Sequence, residues 1–79
     1  METQNKALAE TILHLTAYHH FGKVDLSQEE ITNPNVVKSA LDYCLKNYKN
    51  QQARIDPDSA ALDHWHSLFW FITLNYSLK

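Results

Sequence analysis

Apolar residues in this chain of 79 residues recur at alternating spacings of three and four positions. That spacing is typical of α-helices that bury one face, whereas strands would show runs of alternating Val, Ile and Thr. One glycine and two prolines leave few positions that break helices. The pattern therefore predicts a single all-α domain over residues 1–79, a small bundle of three long helices plus one short helix.

The first helix is predicted to run from about Thr3 to His20, followed by Gly22, the residue that most easily ends a helix in the left-handed conformation. Four residues at helical spacing predict the buried face of this helix, and two more widen it. The four are Leu8, Ile12, Leu15 and His19, and the two are Leu13 and Ala17.

A short helix is predicted next, over Gln28–Thr32. Ser27 and Glu30 have the spacing of a capping box, in which each side chain bonds the backbone N–H of the other residue. The following Asn33 and Pro34 predict that this helix stops and that another one starts at once.

The third helix is predicted to begin at Pro34, with Asn33 as its N-cap, and to end near Gln51 or Gln52. One of its faces is apolar and the opposite face is charged. The apolar face holds Val37, Leu41, Cys44 and Tyr48, flanked by Ala40 and Leu45, and the charged face holds Lys38, Asp42, Lys46 and Lys49.

The last helix is predicted to run from Pro57 to about Ser77, with Asp56 as its N-cap and Asp58 near the positive end of its dipole. It is apolar on more than one side. The predicted inner seam is Leu62, Trp65, Phe69, Ile72 and Tyr76, and the apolar residues off that seam are Leu68, Trp70, Phe71, Leu74 and Leu78.

The stretch from Asp63 to Tyr76 contains both tryptophans of the chain and two of its three phenylalanines. A self-contained core would be one use for these rings, since a small bundle has few positions to fill. The alternative is that Trp70 and Leu74 on one flank, and Leu68 and Phe71 on the other, bind a partner, because contiguous apolar patches mark interfaces. We expect the bundle to be dimeric through this helix.

Net charge and cysteine content limit the classes of function and the cellular compartments that fit this chain. The formal charge of −2, with both signs scattered, offers no basic stripe for nucleic acid. The N-terminal residues lack a signal-peptide pattern, and no apolar run approaches the roughly 20 residues that span a bilayer. Cys44 is the only cysteine, which excludes a disulfide within the chain and fits a reducing compartment. We therefore expect a soluble, cytoplasmic protein in which Cys44 is an inert core thiol.

Histidines are the main candidates for chemistry. His64 and His66 are two positions apart, about 200° around a helix, so the two rings cannot reach one metal ion from that helix alone. A metal or cofactor site would need His64 or His66 together with His19 or His20 from another helix. The simpler interpretation is that all four are structural, and we expect no metal and no cofactor.

A small enzyme is a second alternative, with Asp63 orienting His66 three positions later as an acid–base pair. The sequence supplies no third positioned group and no nucleophile or phosphate-binding motif, so an enzyme is not expected. The sequence favours a non-enzymatic protein–protein interaction module, such as a small adaptor, inhibitor or regulator, that binds a second copy of itself or another protein.

Overall fold

Every element of the computed structural model is an α-helix over the residues that it describes, which are 2–76, with side chains from residue 6 onward. The predicted all-α class and the division into three long helices and one short helix are confirmed for that part of the chain. The predicted end of the last helix at Ser77, and Leu78, lie outside it. The helices are α1 (Glu2–Phe21), α2 (Gln28–Ile31), α3 (Pro34–Gln52) and α4 (Ser59–Asn75).

Local hydrogen bonds end α1 and start α2 where the sequence predicts. Gly22 has a φ of 70°, and its backbone N–H donates to the carbonyl of Tyr18 at 2.9 Å. Ser27 and Glu30 form the predicted capping box, because the backbone N–H of Ser27 donates to the Glu30 carboxylate at 2.9 Å and the N–H of Glu30 donates to the Ser27 hydroxyl at 3.3 Å. Both ends are therefore fixed by contacts within a few residues.

The start of α3 is also as predicted. The side-chain oxygen of Asn33 accepts the backbone N–H of Asn35 at 2.9 Å, and Pro34 occupies the first turn, where its missing N–H leaves no donor unpaired. The helix ends at Gln52, and its four predicted surface residues are all exposed: Lys38, Asp42, Lys46 and Lys49.

The predicted start of α4 is wrong. Asp58 is the N-cap rather than Asp56: its carboxylate accepts the backbone N–H groups of Ala60 at 2.9 Å and Ala61 at 3.4 Å. The side-chain oxygen of Gln51, at the end of α3, accepts the backbone N–H of Asp58 at 3.5 Å. Asp58 has the extended backbone conformation that an N-cap requires, so α4 begins at Ser59 and Pro57 lies in the connection.

The hydrophobic core lies where α1 and α4 meet α3, and the α3–α4 interface is the most extensive. Ten apolar residues form its buried centre: Ala9, Ile12, Leu13, Val36, Val37, Ala40, Leu41, Cys44, Leu68 and Ile72. Three of the four positions predicted for the apolar face of α3 belong to this centre, and Tyr48 is half-buried. Leu45 on its flank remains 38% exposed.

The predicted face of α1 is rotated relative to the buried one. Leu15 is 43% exposed and His19 is exposed, whereas Ala9 and Thr16 are buried in their place. The buried hydroxyl of Thr16 donates to the carbonyl of Ile12 at 2.8 Å, so its polar atom is satisfied inside the helix. Ala9 and Thr16 are small, and small side chains allow helices to pack closely. A prediction based on the spacing of large apolar residues does not include them.

One predicted flank of α4 is part of the core. Leu68 is 2% exposed, and Phe71 is half-buried and packs against the buried cluster. The reason is that α1 lies on this flank: Lys6 lines the same pocket as Phe71, Asn75 and Tyr76. The placement of Leu68 and Phe71 on an open flank is therefore corrected, and only the Trp70 and Leu74 flank faces outward.

The N-cap assignment predicts a difference between two aspartates that are two residues apart. Asp58→Ala should lower the free energy of unfolding by about 0.5–2 kcal/mol, because two backbone N–H groups lose their acceptor. Asp56→Ala is the matched control and should change it by less than about 0.5 kcal/mol. Urea unfolding followed by circular dichroism measures both, and a larger loss in Asp56→Ala would show that α4 starts two residues earlier.

Candidate docking face of α4

The outward side of α4 carries two large apolar side chains. Trp70 is 50% exposed and Leu74, one turn later, is 77% exposed. They lie about 140–180° around the helix from the midpoint of the buried Leu68 and Ile72. We call the outward side of α4, with Trp70 and Leu74 at its centre, the docking face.

A groove runs beside the docking face between α3 and α4. It has a volume of about 230 Å³ and an almost entirely apolar lining. Its seven lining residues are Cys44, Leu45 and Tyr48 from α3 with Trp65, His66, Phe69 and Trp70 from α4. Because Trp70 lines the groove and is also at the centre of the docking face, the two form one apolar region.

Aromatic rings of α4 pack on one another and on rings of α3, edge to face around Trp65 and tilted at His66. Trp65 contacts Tyr43 with ring centroids 6.0 Å apart and His64 with centroids 5.0 Å apart. Tyr48 contacts His66 at 6.1 Å. Such arrangements are the favourable ones for aromatic pairs, so the wall of the groove is ordered by packing as well as by the helix.

His66 is joined to Trp70, one turn later. The indole Nε1–H of Trp70 donates to Nε2 of His66 at 2.9 Å, and the two rings are nearly perpendicular. An indole can only donate, so Nε2 must be unprotonated and a neutral ring carries its proton on Nδ1. Trp70 therefore occupies Nε2 of His66, which leaves only Nδ1 for the contact with Asp63 that the acid–base pair would require.

The histidines considered for a metal site lie apart. His19 and His20 line a pocket between α1 and α3, whereas His66 lines the groove between α3 and α4 and His64 packs on Trp65. Within the described part of the chain, no group of three or more His, Cys, Asp or Glu side chains could hold a metal ion. The geometry gives the metal hypothesis no assembled ligand set.

Cys44 lies at the bottom of the groove and is fully buried, as expected for a core thiol. Burial raises the pKa of the Cys44 thiol to about 11, so the group is neutral at physiological pH. A neutral, buried thiol is a poor nucleophile, and its contribution here is apolar surface.

The sequence predicted which apolar residues of α4 are exposed on this side but not what surrounds them. Trp70 and Leu74 are exposed as predicted, whereas the participation of Tyr48 and Leu45 in a groove was missed. The signal for the His66–Trp70 contact was present, because residues four apart on a helix lie on one side.

Comparison with known proteins gives no direct lead. No protein-family model matches this chain, and neither a curated protein nor a solved structure matches it. Among the described helices, none combines the length and the apolar character needed to cross a membrane. Functional inference therefore rests on the geometry of the chain itself.

The buried thiol predicts a pH dependence of stability. Because the pKa of Cys44 is raised from 9.0 to about 11, its contribution is complete below pH 9 and is lost as the pH rises towards 11. Urea unfolding at pH 8 and pH 10.5 should show this loss, and the loss should be smaller in Cys44→Ala, whose side chain cannot ionise. Equal pH dependence in the two proteins would contradict the assignment.

Proposed function

We propose that this protein is a non-enzymatic interaction module that binds another protein through the docking face of α4, in the simplest case a second copy of itself. The observation that supports the proposal most strongly is the exposure of Trp70 and Leu74 beside an apolar groove. Tryptophan is the residue most enriched at binding hot spots, and a side chain half in solvent has apolar area left to bury.

The groove offers a place for an inserted side chain. Hot-spot residues bind in desolvated pockets near the centre of an interface, and this groove is apolar, ring-lined and directly beside Trp70. In a two-fold dimer each α4 would meet its copy, so the same residues would supply both the inserted group and the pocket.

Charge favours a second copy of the chain as the partner. Asp63 is the only Asp, Glu, Lys or Arg in α4. Two like-charged protomers that meet through α4 would therefore bring few like charges together, and charge depletion is typical of the centres of interfaces. The scarcity of charged residues in α4 supports a homodimer as the simplest form of the module.

Truncation of the docking face should weaken association. Trp70→Ala and Leu74→Ala should each raise the dimer dissociation constant, by about 30-fold or more if the residue is a hot spot. Helical content should stay largely unchanged, because both side chains lie outside the core. Light scattering over a dilution series, with circular dichroism on the same samples, measures both quantities.

Ile55→Ala is the matched control, because Ile55 is a fully exposed apolar residue in the α3–α4 connection and does not line the groove. It should leave the dissociation constant unchanged. A wild-type mass that stays monomeric at the highest accessible concentration would contradict self-association. Unchanged association in both Trp70→Ala and Leu74→Ala would contradict the choice of face.

A further inference from the structure

We propose that His66 is a proton-controlled switch on the docking face: neutral His66 holds the indole of Trp70, and protonated His66 releases it and turns to Asp63. The release of the Trp70 indole is inferred from the hydrogen-bond geometry alone. Its consequence for binding, weaker association at lower pH, rests on the proposed function above.

The chemistry of the two rings makes the contact dependent on protonation. The Trp70 indole N–H is a donor without acceptor capacity, and it donates to Nε2 of His66. Protonated imidazole carries a hydrogen on both nitrogens, so it has no acceptor to offer. The Trp70–His66 hydrogen bond therefore cannot survive protonation, and histidine is the side chain that changes charge between pH 5 and 8.

A second partner lies on the other side of His66. Asp63, His66 and Trp70 follow one another at spacings of three and four, so they form a row on one side of α4. Asp63 and His66 also line the same pocket at the α3–α4 interface. A cationic ring is attracted to a carboxylate at this spacing, whereas the neutral ring is held by the indole.

Few other titratable groups lie around His66 that could take up a proton or interact with a charged imidazole ring. The two pockets around His66 are lined by Tyr48 and Cys44 from α3 and by Asp63 from α4, besides residues that do not titrate. Tyr48 contacts the His66 ring with centroids 6.1 Å apart, and burial keeps Cys44 neutral in this pH range. Asp63 is thus the one anionic group facing the ring from within these pockets.

Release of the indole changes the docking face itself. With the bond in place, the Trp70 ring is fixed by its own helix before a partner arrives, and a fixed side chain loses less rotamer freedom on binding. Without the bond, the ring loses the polar contact that fixes its orientation, and its N–H must find another acceptor. Docking should therefore be tighter when His66 is neutral.

Nuclear magnetic resonance between pH 5 and 8 tests the switch directly. The indole N–H resonance of Trp70 should shift as His66 titrates and with the same midpoint, while that of Trp65 should not follow it. Nuclear Overhauser contacts of the His66 ring should move from Trp70 towards Asp63 at low pH. A Trp70 indole resonance whose chemical shift stays constant while His66 titrates would overturn the inference.

Two variants separate His66 from the other histidines. In His66→Gln the amide oxygen can accept from Trp70 but does not titrate, so the pH response of the Trp70 resonance should vanish. His64→Gln is the matched control: it removes the neighbouring histidine, which contacts Trp65, and should leave the response intact. The same response in His66→Gln as in the wild type would refute the switch.

Light scattering at pH 7.5 and pH 5.5 tests the consequence for binding. Wild-type association should weaken at the lower pH, by up to about tenfold for the ordering of one side chain, and His66→Gln should bind equally at both. Equal wild-type association at both pH values would refute control of docking. Absence of association at either pH would refute the proposed function instead, and the resonance experiment would still decide the switch.

Discussion

The α4 helix is apolar on opposite sides, and only two other long helices in the described chain are available to cover it. Leu68 and Ile72 bind it into the core against α1 and α3, which uses one side. Trp70 and Leu74 are thereby directed to the solvent, because residues on one helix cannot all face the same way. The docking face follows from the packing of the core.

Order on the docking face comes from short contacts within α4 and across to α3. The indole of Trp70 is held by His66, and the ring of His66 in turn packs on Tyr48. The groove wall is stabilised by the edge-to-face contact between Trp65 and Tyr43. An exposed surface ordered in this way before binding favours recognition, since less conformational freedom remains to be lost.

Sequence patterns predicted the helices well because caps are local. The Ser27 capping box and the Asn33 cap involve partners within three residues, so their chemistry can be read directly from the chain. The start of α4 could not be read in this way, since Asp56 and Asp58 are both competent caps that precede the same apolar segment.

The buried faces of the helices were harder to predict than the caps, because burial depends on how neighbouring helices are arranged around each face. Periodicity of large residues placed Leu15 inside, whereas the close approach of α1 buries Ala9 and Thr16. Leu68 was placed outside because its burial in the core depends on the neighbouring helices. Of the candidate site, the exposed pair Trp70 and Leu74 was predictable, and the groove between two helices was not.

The claim that α4 has one buried and one exposed apolar side is tested most directly by making the same substitution on each side. Leu68→Ala and Leu74→Ala remove the same atoms from one helix, and urea unfolding in dilute solution compares their free energies of unfolding. The structure predicts a loss of about 2–5 kcal/mol for the buried Leu68 and less than about 0.5 kcal/mol for the exposed Leu74. Similar losses at both positions would contradict it, because both sides of α4 would then be buried in the single chain.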